Sequence, residues 1–471
     1  MFGYGSVLTV RTLARLALLL VVVGCASTAR MGSPNLAGGD LNADADRLIL
    51  VTIANPSGPM LSEPGSTPYG YDMVTAYGVS SQARAIADAL GRDYGLKPVR
   101  DWPIAPLGVQ CLVFALPPDA DRTTVIQRLS ADRRVRLAQP MQVFSALGTS
   151  NGAPASTATP APQPSLDMPV NFSPESGAPV TGYNDPYVGL QHGFAAIQAA
   201  PAQHWSRGEG VSVAIIDTGV EVDHPDLAGR ITATRNFVDD DMAAFGGDRH
   251  GTGVAGIIGA DANNNLGIVG VAPSARLQIY KACEPLKPHS LEAQCNSFTL
   301  ALALDAAIEV HAQVVNLSLG GPADLLLTQL VSYGLRHGIV FVGAVPEDGR
   351  LDGFPVSIPG VIAVDQVGRS VDVATVLHAP GRDILSLAPA GRYDFSTGSS
   401  FAAAHVTGAI ALLRSRVPEL DAATLFTVLA RTGMRDAYGD RINICAALAA
   451  VQPQSECTRS NKAVATATLN P

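Results

Sequence analysis

A chain of 471 residues, 47% hydrophobic and 15% charged, has room for two or three domains with buried cores, which excludes a peptide-sized module, a disordered chain and a coiled coil. The formal net charge is −9, and no Lys/Arg cluster is interleaved with aromatics, which argues against nucleic acid as a partner. In chain order, Arg11 and Arg15 precede the apolar run Leu16 to Val23, a layout that predicts a secretory signal peptide over 1–24 rather than a membrane span. A Gly/Asn/Ala/Asp-rich tether over 25–46 follows.

Beyond the tether the pattern predicts strands at Leu48–Ile53, Leu96–Trp102, Val109–Leu116 and Val135–Phe144, with helices at Ser81–Tyr94 and Asp121–Asp132. Strand-helix-strand-strand-helix-strand is the layout of a small α+β, ferredoxin-like domain over 47–147. Residues 148–183 are rich in Pro, Ala, Ser and Thr and poor in large apolar side chains, a linker composition. Over 184–450 apolar strands alternate with helical patterns, as in Val211–Ile216, Leu277–Lys281, Val314–Leu317 and Ile339–Val342, which predicts an α/β domain with a parallel sheet. A short polar tail, 451–471, closes the chain.

The cysteines point to an oxidising compartment. Val22-Val23-Gly24-Cys25 resembles a bacterial lipobox, in which Cys25 would be lipidated, and Ala26 after it favours the outer membrane. Of the other five, four form two local pairs, Cys283 with Cys295 and Cys445 with Cys457, read as disulfides stapling a loop and a tail, with free thiols as the alternative. Cys111 lies in an apolar strand and reads as a core residue.

Three islands of the α/β domain carry chemistry. Val213 to Gly219 delivers Asp217 from a strand end into a Gly-bounded loop, where open α/β sheets place ligands. His250 opens a helix of small residues, and Ser400 opens an Ala-rich one. Singly, Asp217 suits a strand-end turn, His250 a helix cap and Ser400 an N-cap. Together they supply what nucleophilic catalysis needs: a hydroxyl, an imidazole to take its proton and a carboxylate to orient the imidazole.

The series Asp217-Thr218-Gly219, His224-Pro225-Asp226-Leu227, His250-Gly251-Thr252, Gly267 to Pro273, Asn316 to Gly321, Phe354 to Val364 and Thr397 to Val406 resembles the subtilisin family of serine proteases. The resemblance implies a subtilisin-like parallel sheet with flanking helices, a serine-type endopeptidase, and polypeptide as substrate. It implies Ser400 as nucleophile, His250 as general base and then acid, Asp217 as its orienting partner, and Ser318-Leu319-Gly320 as an edge to which substrate adds as a strand. The domain over 47–147 is similar to the family's inhibitory propeptide, so a zymogen is expected, cut within 145–183, with membrane contact only through the lipid on Cys25. The expected location is the bacterial cell envelope, the catalytic domain being periplasmic or extracellular and open to release.

Two features bear on this. Where the family supplies an oxyanion-binding Asn, this chain has Pro346-Glu347-Asp348-Gly349, with Glu347 at the gapless position and Asp348 one residue on. A carboxyl kept neutral in an apolar setting could still donate a hydrogen bond; a charged one would leave a weak protease or an inactive binding lipoprotein as the alternative. No cofactor is required for the chemistry, but Asp185, Asp226 and Asn264 resemble pieces of a structural calcium site. His405 reads as structural.

Overall fold

The run Leu48–Ala54 (β1) is buried along nearly its whole length, and the computed structural model shows two covered faces. Ile49, Val51 and Ile53 point into a cluster with Ala83 and Leu90 of helix α1 (Ser81–Tyr94) and Val125 and Leu129 of helix α2 (Arg122–Ser130). Leu48 and Leu50 point the other way, into a cluster shared with the α/β domain. The period-2 alternation of a strand makes this division. With β2 (Lys97–Ile104), β3 (Val109–Ala115) and β4 (Val135–Pro140) it forms an antiparallel sheet of order β2-β3-β1-β4. Ser80 and Asp121 cap the two helices by accepting from the N–H of Ala83 and Thr124.

The structure describes residues 41–56, 78–150, 182–239, 241–369, 374–436, 439–453 and 457. The signal peptide, Cys25 and most of the linker and C-terminal tail lie outside them. All the described residues belong to one compact unit.

The fourth strand differs from expectation. It does not run to Phe144: β4 ends at Pro140, and Val143–Ala146 forms a separate strand, β5, in another sheet. Pro140 has no N–H to donate, the Met141 N–H makes one more bond to the Leu48 carbonyl, and β5 finds its partners on the α/β domain. The linker also begins later than its composition suggests, because Thr149–Ser150 (β6) pairs in a sheet.

The α/β domain begins with short helices α3 (His192–Ala196) and α4 (Ala199–Gln203), then β7 (Ser212–Asp217), β8 (Ile231–Asn236), a short α5 (Met242–Gly246) and α6 (Arg249–Gly259). There follow β9 (Arg276–Lys281), β10 (Cys283–Pro285), β11 (Ala293–Asn296), α7 (Ser297–Glu309), β12 (Val314–Leu317), β13 (Leu319–Gly320) and α8 (Leu325–Arg336). The last that matter here are β14 (Val340–Ala344), β15 (Ile362–Gln366), β16 (Val376–Ala379), β17 (Ile384–Ala388), β18 (Arg392–Thr397) and α9 (Ser399–Arg416).

Seven strands form a parallel sheet of order β16-β15-β14-β12-β7-β9-β8. Central β7 is apolar at consecutive positions because both its faces are covered. Val213 and Ile215 join a cluster with α6 and α9, while Ala214 and Ile216 join one with α7 and α8. The first domain docks over α7 and α8, whose cluster also contains Leu50, Ile104, Val113 and Phe144. Buried polar groups close the seam: Gln139 donates to Asp324 Oδ2 at 2.7 Å and accepts from the Leu326 N–H at 3.1 Å, capping α8 from outside. Trp102 Nε1 donates to Asp305 Oδ2 at 3.1 Å. Cys283–Cys295 and Cys445–Cys457 are disulfides, and Cys111 is a buried free thiol. No helix among the described residues is long and apolar enough to cross a membrane.

Candidate active site

Asp217 ends β7 and is 1% exposed. Its Oδ1 accepts from the Thr218 N–H and from His250 Nδ1, both at 2.7 Å. His250 is the second residue of α6 and fully buried, its ring tilted against Phe401 at a centroid distance of 5.8 Å. The hydrogen bond to Asp217 leaves Nε2 as the imidazole's free acceptor.

A buried ion pair that sequence reasoning did not single out ties these two elements together. Asp248, two residues before His250, accepts from Lys281 Nζ and from the Gly219 N–H, both at 2.7 Å. Lys281 ends β9 and pairs in register with Asp217. Burial raises the Asp248 pKa, and Lys281 opposes that rise. A lysine ending an apolar strand, with an aspartate two residues before His250, was the available signal.

Ser400 is the second residue of α9, a helix buried on nearly every side. Three contacts fix the start of this helix: Ser399 Oγ donates to the Val345 carbonyl at 2.6 Å, Ser318 Oγ donates to the Ser400 carbonyl at 3.1 Å, and Asn316 Nδ2 donates to Ser318 Oγ at 2.9 Å. Ser400 Oγ and His250 Nε2 are both buried with no hydrogen-bond partner.

The chain itself runs past both. Strand β5 is inserted between β11 and β13 in the four-stranded sheet β10-β11-β5-β13, antiparallel to both neighbours. The Leu147 N–H donates to the Ser318 carbonyl at 3.1 Å, and the Leu147 carbonyl accepts from the Ser400 N–H at 3.3 Å. Gly148 follows directly under the histidine: a Cβ there would lie 3.0 Å from His250 Nε2 and 2.9 Å from its Cδ2. Only glycine fits that approach without a shift. Beyond it, β6 pairs antiparallel with β18. Ser318, Leu319 and Gly320 thus border an occupied cleft, with a Cβ at Gly320 placed 2.9 Å from Pro346 and 3.3 Å from Leu147 Cδ1.

The acidic segment does not lie in an apolar setting. Glu347 and Asp348 are exposed, with Asp348 accepting from the Arg350 N–H at 3.0 Å. The segment's backbone is held by Arg369, which donates to the carbonyls of Pro346 and Glu347 and pairs with Asp365 at 3.3 Å.

The residues implied for calcium do not fit an ion as they are arranged. The Asn263 N–H meets both Asp185 oxygens, at 3.0 and 2.9 Å, while Asp226 accepts from Asn264 Nδ2 at 2.8 Å and from the Ile268 N–H at 2.9 Å. No carboxylate oxygen of the pair is left without a donor, and Asn264 turns its NH2 rather than its carbonyl toward Asp226. Among the described residues no group of three His, Cys, Asp or Glu is placed to hold a metal. His405 donates from Nδ1 to the Phe401 carbonyl, and burial pushes its pKa down to about 4, the state of a neutral structural histidine.

Comparison with known proteins agrees with this geometry. Residues 208–443 match the Peptidase S8 model, the subtilase family. Thermitase of Thermoactinomyces vulgaris is 37% identical over 248 residues, covering 50% of this chain and 85% of thermitase. An intracellular serine protease of Paenibacillus polymyxa is 35% identical over 246 residues, covering 48% of this chain and 73% of that protein. The crystal structure of fervidolysin from Fervidobacterium pennivorans, a keratinolytic enzyme related to subtilisin, shares the fold with a TM-score of 0.63 at 23% identity, over 85% of this chain and 60% of that one. The subtilisin-like parallel sheet, the order of its elements and these relatives lead to one conclusion: the chain belongs to the subtilase family and is a serine-type endopeptidase.

Proposed function

We propose that this protein is made as a lipid-anchored zymogen that cuts its own chain at the Leu147–Gly148 bond and then cleaves other polypeptides in the same cleft. The observation that carries the reading is the Leu147 carbonyl resting on the Ser400 N–H while Gly148 abuts His250 Nε2. Ser400 Oγ attacks the Leu147 carbonyl carbon and passes its proton to His250 Nε2, and Asp217 holds the opposite ring nitrogen and stabilises the imidazolium. The oxyanion that forms lies against the Ser400 N–H. His250 then gives the proton to the Gly148 nitrogen, the peptide bond breaks, and water releases Leu147 from its serine ester by the same route.

Residues 47–147 act as a propeptide in this reading, because they cover α7 and α8 and fill the cleft with their own C-terminal strand. Lipidation of Cys25 places the propeptide side on the bacterial envelope, at the outer membrane, so the cut frees the catalytic domain whenever the two halves part. The test is N-terminal sequencing of the expressed protein. Wild type should yield a fragment beginning at Gly148, and Ser400→Ala should stay whole; a full-length wild type, correctly folded, would overturn the reading. The exposed Glu347 and Asp348 favour a second reading, a cleft that binds peptide without cutting it, for which a fluorophosphonate probe would leave Ser400 unlabelled.

A further inference from the structure

We propose that the Cys283–Cys295 disulfide is a positioning device for substrate, holding β11 as one jaw of the cleft. This rests on the reading above, in which β5 marks the path of a bound peptide. The register places Cys295 opposite Cys283 on one side and opposite Phe144 on the other. The disulfide therefore lies directly behind the residue that pairs with the fourth position of the peptide, counting back from Leu147.

The two jaws are supported differently. Strand β13 follows β12 of the large sheet directly, and Ser318 between them is tied to α9. Strand β11 has four residues and, once β5 leaves, pairs only with the three-residue β10 among the described strands. A two-stranded hairpin that short is marginal in water. At one end β11 is held by Asn296, which caps α7 by accepting from the N–H groups of Phe298 and Thr299, both at 3.0 Å. The other end runs into the exposed loop around Leu286. The covalent link across Cys283 and Cys295 supplies what the short ladder does not: an edge already in register when a peptide arrives, so less ordering is required on binding.

Two measurements test this. In full-length Ser400→Ala, where β5 stays in place, hydrogen exchange at residues 143–147 should quicken at least tenfold when Cys283→Ala and Cys295→Ala are added, with β1 and β3 unchanged. In processed enzyme the same pair should raise KM for a Phe-Ser-Ala-Leu anilide about tenfold with kcat nearly unchanged, and leave hydrolysis of an acetyl-leucine ester unaltered per fluorophosphonate-reactive Ser400. Unchanged exchange and KM would overturn the assignment, and so would loosening that extends equally to β1 and β3. A wild type that cuts neither substrate would instead sink the protease reading, while exchange at 143–147 still decides the role of the disulfide.

Discussion

The backbone N–H of Ser400 is hydrogen-bonded to the carbonyl of Leu147, 253 positions earlier in the numbering, at 3.3 Å. In the proposed self-cleavage, this donor at the start of a buried helix would mark the Leu147–Gly148 bond as the one presented for attack. The half-buried side chain of Leu147 lies in a slot beside Gly320, which Pro346 also approaches. Leu147→Asp would force a charge into that slot, and the rate of appearance of the Gly148 fragment should fall at least tenfold, whereas Leu147→Met should process nearly as wild type.

The acidic oxyanion segment makes a prediction of opposite sign. Glu347 is exposed, and in the proposed mechanism the oxyanion would meet the Ser400 N–H, which bonds the Leu147 carbonyl. Restoring an amide by Glu347→Asn should raise kcat on a tetrapeptide substrate, with an upper bound of about a hundred- to thousandfold, the scale of one oxyanion donor. Unchanged kcat would mean that position 347 does not reach the oxyanion.

Docking of the propeptide should weaken as pH rises. Burial lifts the Asp305 pKa from 3.8 to about 7, against the Trp102 hydrogen bond that lowers it, with Glu309 adding to the rise and Arg235 opposing it. The docked form therefore keeps a proton that the separated form gives up, and affinity declines between those two values. Asp324, also raised by burial, acts in the same direction. Cut propeptide should co-elute with the catalytic fragment at pH 5 and separate more readily at pH 8; Asp305→Asn should flatten that dependence.

Lys281→Met should be among the most damaging single changes outside Asp217, His250 and Ser400. It leaves the Asp248 carboxylate buried without its cation, beside Asp217, a loss on the order of 3–5 kcal/mol. Chemical denaturation should show the drop, and Asp248→Asn combined with Lys281→Met should recover part of it, because no lone charge then remains.

The sequence made the two domain patterns and the Asp217–His250 pairing legible for different reasons. Strand alternation at Leu48–Ile53 and the apolar run at Val213–Ile216 report burial, which is local. Asp217, His250 and Ser400 were legible through motif residues around them. What could not be read was pairing at a distance. Pro140 hints at a break, but nothing in Val135–Phe144 announces that the residues after it join β11 and β13. A Pro/Ala/Ser-rich composition after residue 147 likewise hides Thr149 and Ser150 pairing with β18. The exposure of Glu347 was also hidden, since it depends on how Arg369 and Asp365 hold the backbone of that segment.

The cut at Leu147–Gly148 would sever a chain that is gripped on both sides of the break. Residues up to Leu147 are held by β11 and β13, and Thr149 and Ser150 by β18. Breaking the bond therefore creates two new ends while displacing neither. The clock of maturation is then set by departure rather than by hydrolysis: a nicked molecule stays silent for as long as its own severed ends stay seated.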